Sequence, residues 1–166
     1  ALPDFREPTL HLMEEALSKR GFKGIKMHAG ICQLVDYLVD PALELASELT
    51  VPCLVDCAGD YENTTRIAEA FPRLKMIIAH LGLYLCRDGA LIDRFIALTK
   101  DYPNLFLDIS GVVLLEKIEK AIEEVGVERV IWGTDGPSNS PDPVSFTRAE
   151  IEKVMRLKLT PEEKEA

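Results

Sequence analysis

A chain of 166 residues, 47% apolar and 28% charged, is long enough to bury a core and has the composition of an ordinary globular protein. Its formal net charge of −9 disfavours phosphate backbones and anionic membrane surfaces, so neither nucleic acid nor membrane is an expected partner. No stretch approaches the roughly 18 apolar residues of a spanning helix, and Ala1-Leu2-Pro3-Asp4 lacks the basic-then-apolar order of a signal peptide.

The first predicted element is a helix over residues 8–20, running from Pro8 to Gly21 with Leu10, Met13 and Leu17 on one stripe. A short apolar segment at 24–28 (GIKMH) follows as a strand. Asp40-Pro41 opens the second helix, because Asp caps and Pro fits the first helical position. Leu43, Leu45, Ala46 and Leu49 give that helix its apolar positions. The second strand is 51–57 (VPCLVDC), and a short helix over 61–71 is stopped by Pro72. The third strand is 74–80 (LKMIIAH), followed by a helix over 89–100 that carries Leu91, Ile92, Phe95, Ile96 and Leu98. The fourth strand is 105–110 (LFLDIS). A helix over 114–125 carries Leu115, Ile118, Ala121, Ile122 and Val125 and ends at Gly126. The fifth strand is 129–133 (RVIWG). The stretches 29–39 and 133–143 read as irregular. Thr160-Pro161-Glu162-Glu163 is a capping box that announces one more helix just before the chain stops.

Nearly continuous apolar strands alternating with helices predict an α/β fold with a parallel sheet whose strands are buried on both faces. The strand starts, near 24, 51, 74, 105 and 129, lie about 26 residues apart, so the chain holds five βα units. A closed barrel of the TIM type needs eight, or roughly 200 residues and more. The expectation is therefore one partial (β/α)8-barrel domain over residues 1–166 with its N-terminal strands missing. The absent initiator methionine agrees with a processed product or an excerpt. An open arc leaves two parallel edges that invite a second chain, and a homodimer is one arrangement that would cover them.

Cys32, Cys53, Cys57 and Cys86 form no CxxC pair, which argues against disulfides and zinc knuckles and for a reducing, cytoplasmic setting. Cys53 and Cys57 share the parity of one apolar strand and read as small buried residues.

Polar residues recur at the carboxyl ends of the strands: Lys26 and His28, Asp56, His80, Asp108 and Ser110, and Thr134-Asp135. In an α/β barrel these ends converge on one mouth. His80 caps an apolar strand beside Gly82 and could serve as metal ligand or general acid/base. Asp135 could ligate a divalent metal and accept a proton from water. Asp56 lies inside an apolar strand and needs a partner, whether a metal, Lys26 or backbone amides. Lys26 and His28 share a strand face, and a buried Lys26 could orient a substrate carboxylate or pair with Asp56. For Asp108 a structural hydrogen-bonding role is the expectation, and for His11 a surface one. No Gly-rich phosphate loop and no GxSxG is present.

These segments resemble the amidohydrolase-related family. Residues 21–28 (GFKGIKMH) resemble its "GFKGIKLH" strand, 52–59 its "PVLIHTG" strand, and 77–82 match "IIAHLG". Residues 102–111 resemble "YPNVYLDTSG", 129–137 "RVLFGTDYP", and 159–164 the start of "LSEEEKEKILGGNARRLL". The resemblance implies an eight-stranded barrel of metal-dependent hydrolases and non-oxidative decarboxylases acting on small-molecule substrates. Such enzymes hold zinc or a similar ion such as manganese with a first-strand HxH, a fifth-strand His and an eighth-strand Asp. Carried over, Asp135 is the eighth-strand aspartate and His80 the sixth-strand histidine that helps activate water or substrate. Asp135, His80 and Asp56 become the metal candidates, Asp135 and His80 the catalytic ones, and Lys26 and His28 the substrate-binding ones. The chain departs from the pattern in two ways: HxH is absent, and Asp56 occupies the fifth-strand histidine position. The expected activity is hydrolysis of a C–N or C–O bond by metal-activated water. Decarboxylation on the same scaffold is the alternative. A non-catalytic relative, or a fragment that only folds or assembles, is the reading of a different class.

Overall fold

The structure is a computed structural model that describes residues 7–136 and 142–165. The N-terminal tetrapeptide, Pro137 of the 129–137 motif and positions 137–141 of the irregular stretch lie outside the described residues. The elements in chain order are α1 (Glu7–Lys19), β1 (Ile25–His28), α2 (Asp36–Glu48), β2 (Cys53–Asp56), α3 (Tyr61–Ala70) and β3 (Met76–Ile78). They continue with α4 (Gly89–Asp101), β4 (Leu105–Asp108), α5 (Leu115–Val125), β5 (Val130–Ile131), α6 (Pro143–Arg156) and α7 (Pro161–Glu165).

The five strands form one sheet, all parallel, in the order β1-β2-β3-β4-β5. Crossovers between parallel neighbours are right-handed. A strand order that never reverses therefore lays the connecting helices on one side of the sheet, the winding of a barrel rather than of a doubly wound sheet. The burial of each strand follows from this. Ile25, Met27, Cys53, Val55, Met76, Ile78, Leu105 and Leu107 are buried under Leu43, Ile67, Ile92, Phe95, Ile96 and Ile118 of the helices. On the other face Lys26 and His28 are exposed, and Leu54, Ile77 and Phe106 only half-buried. The expectation of strands buried on both faces is corrected accordingly: one face meets helices and the other meets a cavity. The strands are also shorter than predicted, because the chain leaves the sheet as soon as its polar residues reach the mouth.

Two helices depart from the sequence reading. The second begins at Asp36, not Asp40, and takes Pro41 into its interior. The amides of Leu38 and Val39 already bond the Val35 carbonyl, Val39 is fully buried, and both carboxylate oxygens of Asp40 accept from Arg66 Nη1, at 2.9 and 3.0 Å, instead of capping. These contacts outweigh the bond that Pro41 cannot make. α6 had no counterpart in the sequence reading. It starts on Asp142, whose carboxylate accepts from the amides of Val144 and Ser145, with Pro143 in the first turn. The capping box of α7 forms as expected: Glu163 N donates to Thr160 Oγ1 at 3.2 Å, and Thr160 N to Glu163 Oε2 at 2.8 Å. All four cysteines are free and buried. No helix among the described residues is long and apolar enough to cross a membrane.

Phe95 is the largest fully buried side chain among the described residues, and its ring fills the space a side chain would need at Gly82. Phe95→Ala is expected to lower the unfolding free energy by about 3–5 kcal/mol. Phe22→Ala, at a position 61% exposed, is expected to cost less than about 1 kcal/mol. Urea unfolding followed by circular dichroism measures both.

Candidate functional site

The register sets His28 at the end of β1 directly beside Asp56 at the end of β2. β3 stops at Ile78, and the chain turns sharply through Ala79–Gly82. This turn brings His80 inward with φ +60° and Leu81 with φ +50°, in the left-handed region that L-residues avoid. Ala58 after β2 (φ +50°) and Asp135 after β5 (φ +52°) are held the same way. Each such residue costs of order 1–3 kcal/mol and persists only where its surroundings over-determine it. Strain thus marks three of the five strand ends that face one another. Gly82 makes the turn feasible: it has φ +105°, and a Cβ there would lie 2.1 Å from the Phe95 ring.

His80 is 1% exposed. Its Nδ1 lies 2.7 Å from the Ser110 carbonyl oxygen, which can only accept, so Nδ1 carries a proton. Asp108 supports the arrangement by accepting from His80 N at 3.1 Å and from Ser110 Oγ at 2.5 Å, the hydrogen-bonding role expected of it. Nε2 is buried without a hydrogen-bond partner and faces Asp56 Oδ2 at 3.5 Å and Asp135 Oδ2 at 3.8 Å. These distances are ion-pair contacts rather than well-formed hydrogen bonds. Burial disfavours charge on His80. Bonding to Asp56 and to the Ser110 carbonyl, with the charges of Asp108 and Asp56, outweighs burial and raises its pKa above 6.5. His80 in turn holds Asp56 below the usual carboxylate value, against the opposing effect of burial.

His28 has the opposite tautomer. Gly30 N donates to His28 Nδ1 at 2.9 Å, so Nε2 holds the proton and points at Asp56 Oδ2, 3.3 Å away. Asp56 also accepts from Ala58 N at 3.2 Å. Lys26 does point to the same face as His28, but its ammonium pairs with Asp135 Oδ1 at 3.1 Å rather than with Asp56. The expectation of a buried lysine is also corrected: the side chain is 49% exposed, because its strand face opens on the cavity. His11 is exposed, as expected.

The five predicted residues Lys26, His28, Asp56, His80 and Asp135 are thus joined by contacts of 3.1–3.8 Å. A cavity of about 300 Å³ opens over Lys26, His80, Asp108, Ser110, Trp132 and Asp135. Tyr84 went unnoticed in the sequence; it lies past the strand end, where polar-residue spacing gives no signal. Its ring meets His80 edge-on, with centroids 5.0 Å apart.

A neutral His80 would aim a lone pair at two carboxylates, an arrangement that a proton or a cation between them would relieve. The donor types suit a divalent ion. Their arrangement stops short of a finished centre, since among the described residues no group of three or more His, Cys, Asp or Glu could hold a metal ion.

A protein-family model described as amidohydrolase matches residues 1–166. No curated protein matches the chain. Among solved structures, an uncharacterised TIM-barrel protein from Bordetella bronchiseptica is similar with a TM-score of 0.78 and 16% identity, over 99% of this chain and 60% of that one. A dihydroxybenzoic acid decarboxylase from Polaromonas sp. JS666, with bound manganese and 2-nitroresorcinol, gives 0.67 and 16%, over 95% and 61%. An amidohydrolase from Burkholderia multivorans with bound zinc gives 0.66 and 16%, over 94% and 65%. At such identities the likeness speaks for the fold, a part of a TIM-type barrel, and the chain spans about three fifths of the length of these relatives. Matched along its whole length and wound as an arc of such a barrel, the chain belongs to the amidohydrolase family.

Proposed function

We propose that residues 1–166 form one partial barrel domain carrying half of the catalytic centre of a metal-dependent hydrolase that cleaves a C–N or C–O bond in a small-molecule substrate. The observation that carries this reading is the buried His80 Nε2 facing Asp56 and Asp135 at the mouth of a parallel sheet. In the proposal Asp135 accepts a proton: Lys26 holds its Oδ1, and Oδ2 stays turned toward His80. His80, buttressed through Nδ1, donates from Nε2 to a developing oxyanion when doubly protonated, a role that excludes metal ligation by the same nitrogen. Lys26 and His28, both on the open face, orient the substrate, with Lys26 suited to a carboxylate. Asp135 and Asp56, joined by His80 when it is neutral and ligates instead of donating, would hold a divalent ion, zinc or manganese, in a protein that supplies further ligands. When bound, the ion supplies Lewis-acid activation of water. Four buried free thiols fit a reducing compartment such as the cytoplasm.

Decarboxylation is the second reading, favoured by the decarboxylases among the similar structures and by the ammonium of Lys26 beside the cavity. The non-catalytic reading draws on Asp56 in place of a histidine and on the unfinished ligand set.

Asp135→Asn is expected to lower turnover at least about a hundredfold, the scale of a lost general base, with a melting temperature within a few degrees of the parent. The assay uses panels of amides, esters, lactones and carboxylic acids. Carbon dioxide release separates decarboxylation from hydrolysis, and unchanged turnover removes Asp135 from the mechanism. Asp56→His, which installs the family's histidine, is expected to tighten zinc binding measured by calorimetry, and unchanged binding would remove position 56 from the ligand set.

The His80–Asp56 pair also has a pH signature in metal-free protein. The raised pKa of His80 contributes stability that is present below about 6.5 and fades as pH rises through its folded value. The lowered pKa of Asp56 contributes stability that is present above about 3.8 and fades as pH falls through its folded value. The stability difference between the parent and Asp56→Asn is therefore expected to peak between about pH 4 and 6.5 in urea unfolding series and to shrink above neutrality. A flat difference from pH 4 to 9 would contradict the pairing.

A further inference from the structure

α6 buries two charges. Glu150 and Lys153, one helical turn apart, are each 8% exposed and bonded to one another. Elsewhere the same helix shows Val144, Ile151 and Met155 to solvent. A buried ion pair returns little net stability against its desolvation, so what else the two groups hold is informative. Lys153 Nζ donates to the Ile109 carbonyl at 2.6 Å, and Gly111 N donates to Glu150 Oε2 at 3.4 Å. These two bonds fall on the backbone either side of Ser110. Trp132 Nε1 donates to the Glu150 carbonyl at 3.3 Å and ties the helix to the end of β5.

The Ser110–Gly111 peptide unit is thus bonded at both ends. Its N–H meets the Glu150 carboxylate, and its carbonyl oxygen accepts from His80 Nδ1 at 2.7 Å. An anion on the N–H side polarises the amide and deepens the negative charge on its oxygen, which strengthens the bond from the imidazole. That bond, joined by the Ser110 hydroxyl 3.1 Å from the same nitrogen, decides which ring nitrogen of His80 bears the proton and where the other one points.

We propose that Glu150 and Lys153 are positioning residues for His80: Glu150 acts through the Ser110–Gly111 peptide, Lys153 through its bonds to Glu150 and to the Ile109 carbonyl, and together they fix the Nδ1–H tautomer and aim Nε2 at Asp56 and Asp135. The positioning itself is independent of the reaction. Only its effect on turnover rests on the function proposed above.

The test is long-range proton–nitrogen NMR of the full chain, whose three imidazoles are His11, His28 and His80. The parent is expected to show His80 as the Nδ1–H tautomer with a slowly exchanging proton. Glu150→Gln/Lys153→Met removes both charges together and leaves no lone buried ion. In it the Nδ1 proton is expected to exchange at least about tenfold faster and the Nε2–H form to appear, in line with the size of effects from partners of site residues. Glu150→Gln alone keeps Lys153 on the Ile109 carbonyl. It is read by the same criterion where circular dichroism shows the double variant unfolded.

Lys117→Met, which removes a pair with Asp93 between α4 and α5, is the control and is expected to leave His80 unchanged. An unaltered His80 signature in a folded Glu150 variant overturns the proposal. An equal change in the control overturns it as well, by reducing the effect to general loosening. Should the tautomer be lost while turnover is unchanged, the positioning stands and the catalytic role of His80 falls.

Discussion

The site is organised around one imidazole that is almost entirely out of water. His80 cannot solvate its own nitrogens, so each must be answered by the protein. One is answered fully, by the Ser110 carbonyl at 2.7 Å. The other faces two carboxylates just beyond hydrogen-bonding range. The first bond forces the second circumstance, because a proton committed to Nδ1 leaves Nε2 as the reactive nitrogen. The strained turn at Ala79–Gly82, the support from Asp108 and the fit of Gly82 against Phe95 maintain that orientation.

The winding of the sheet explains why so many polar groups meet there. Parallel strands in unbroken order turn one face to helices and the other to a cavity. Residues at alternate positions therefore live in different solvents. Cys53, Val55 and Cys57 pack as oil while Asp56, one residue away from two of them, joins an ionic cluster. Burial pushes the Cys53 thiol up to about 12 and that of Cys57 to about 11, so neither is a nucleophile near neutral pH. The chemistry falls to the imidazoles, carboxylates and ammonium of the cavity face.

Much of this was legible in the sequence, and what escaped did so for physical reasons. Strand alternation is a local property, so five strands, their parallel order and the convergence of Lys26, His28, Asp56, His80 and Asp135 could be read from spacing. Helix boundaries depend on contacts between distant residues. The same Asp-Pro pair marks the start of α6 at 142–143 yet lies inside α2 at 40–41, where burial of Val39 and the Asp40–Arg66 pair prevail. The partner of Lys26 could not be read either, since Asp135 lies 109 positions away. Glu150 and Lys153 carry no motif at all. Their part emerges only when α6 is folded back over the end of β4.

Charge links these observations. Asp56, Asp108 and Asp135 bring three carboxylates together, and Lys26 offsets one of them. With both imidazoles neutral the cluster carries about two negative charges in a half-buried cavity, which low-dielectric surroundings make costly. A proton on His80 cancels one, and the upward shift of its pKa is the protein's own response. In the metal-bound protein proposed above, a divalent ion would cancel both. An aspartate at position 56, where the resemblance to the family leads one to expect a histidine, adds one of those negative charges. Aspartate in place of histidine thus raises the cluster's negative charge, and with it the cost of leaving the cluster without a proton or a cation, even as it replaces a nitrogen by an oxygen.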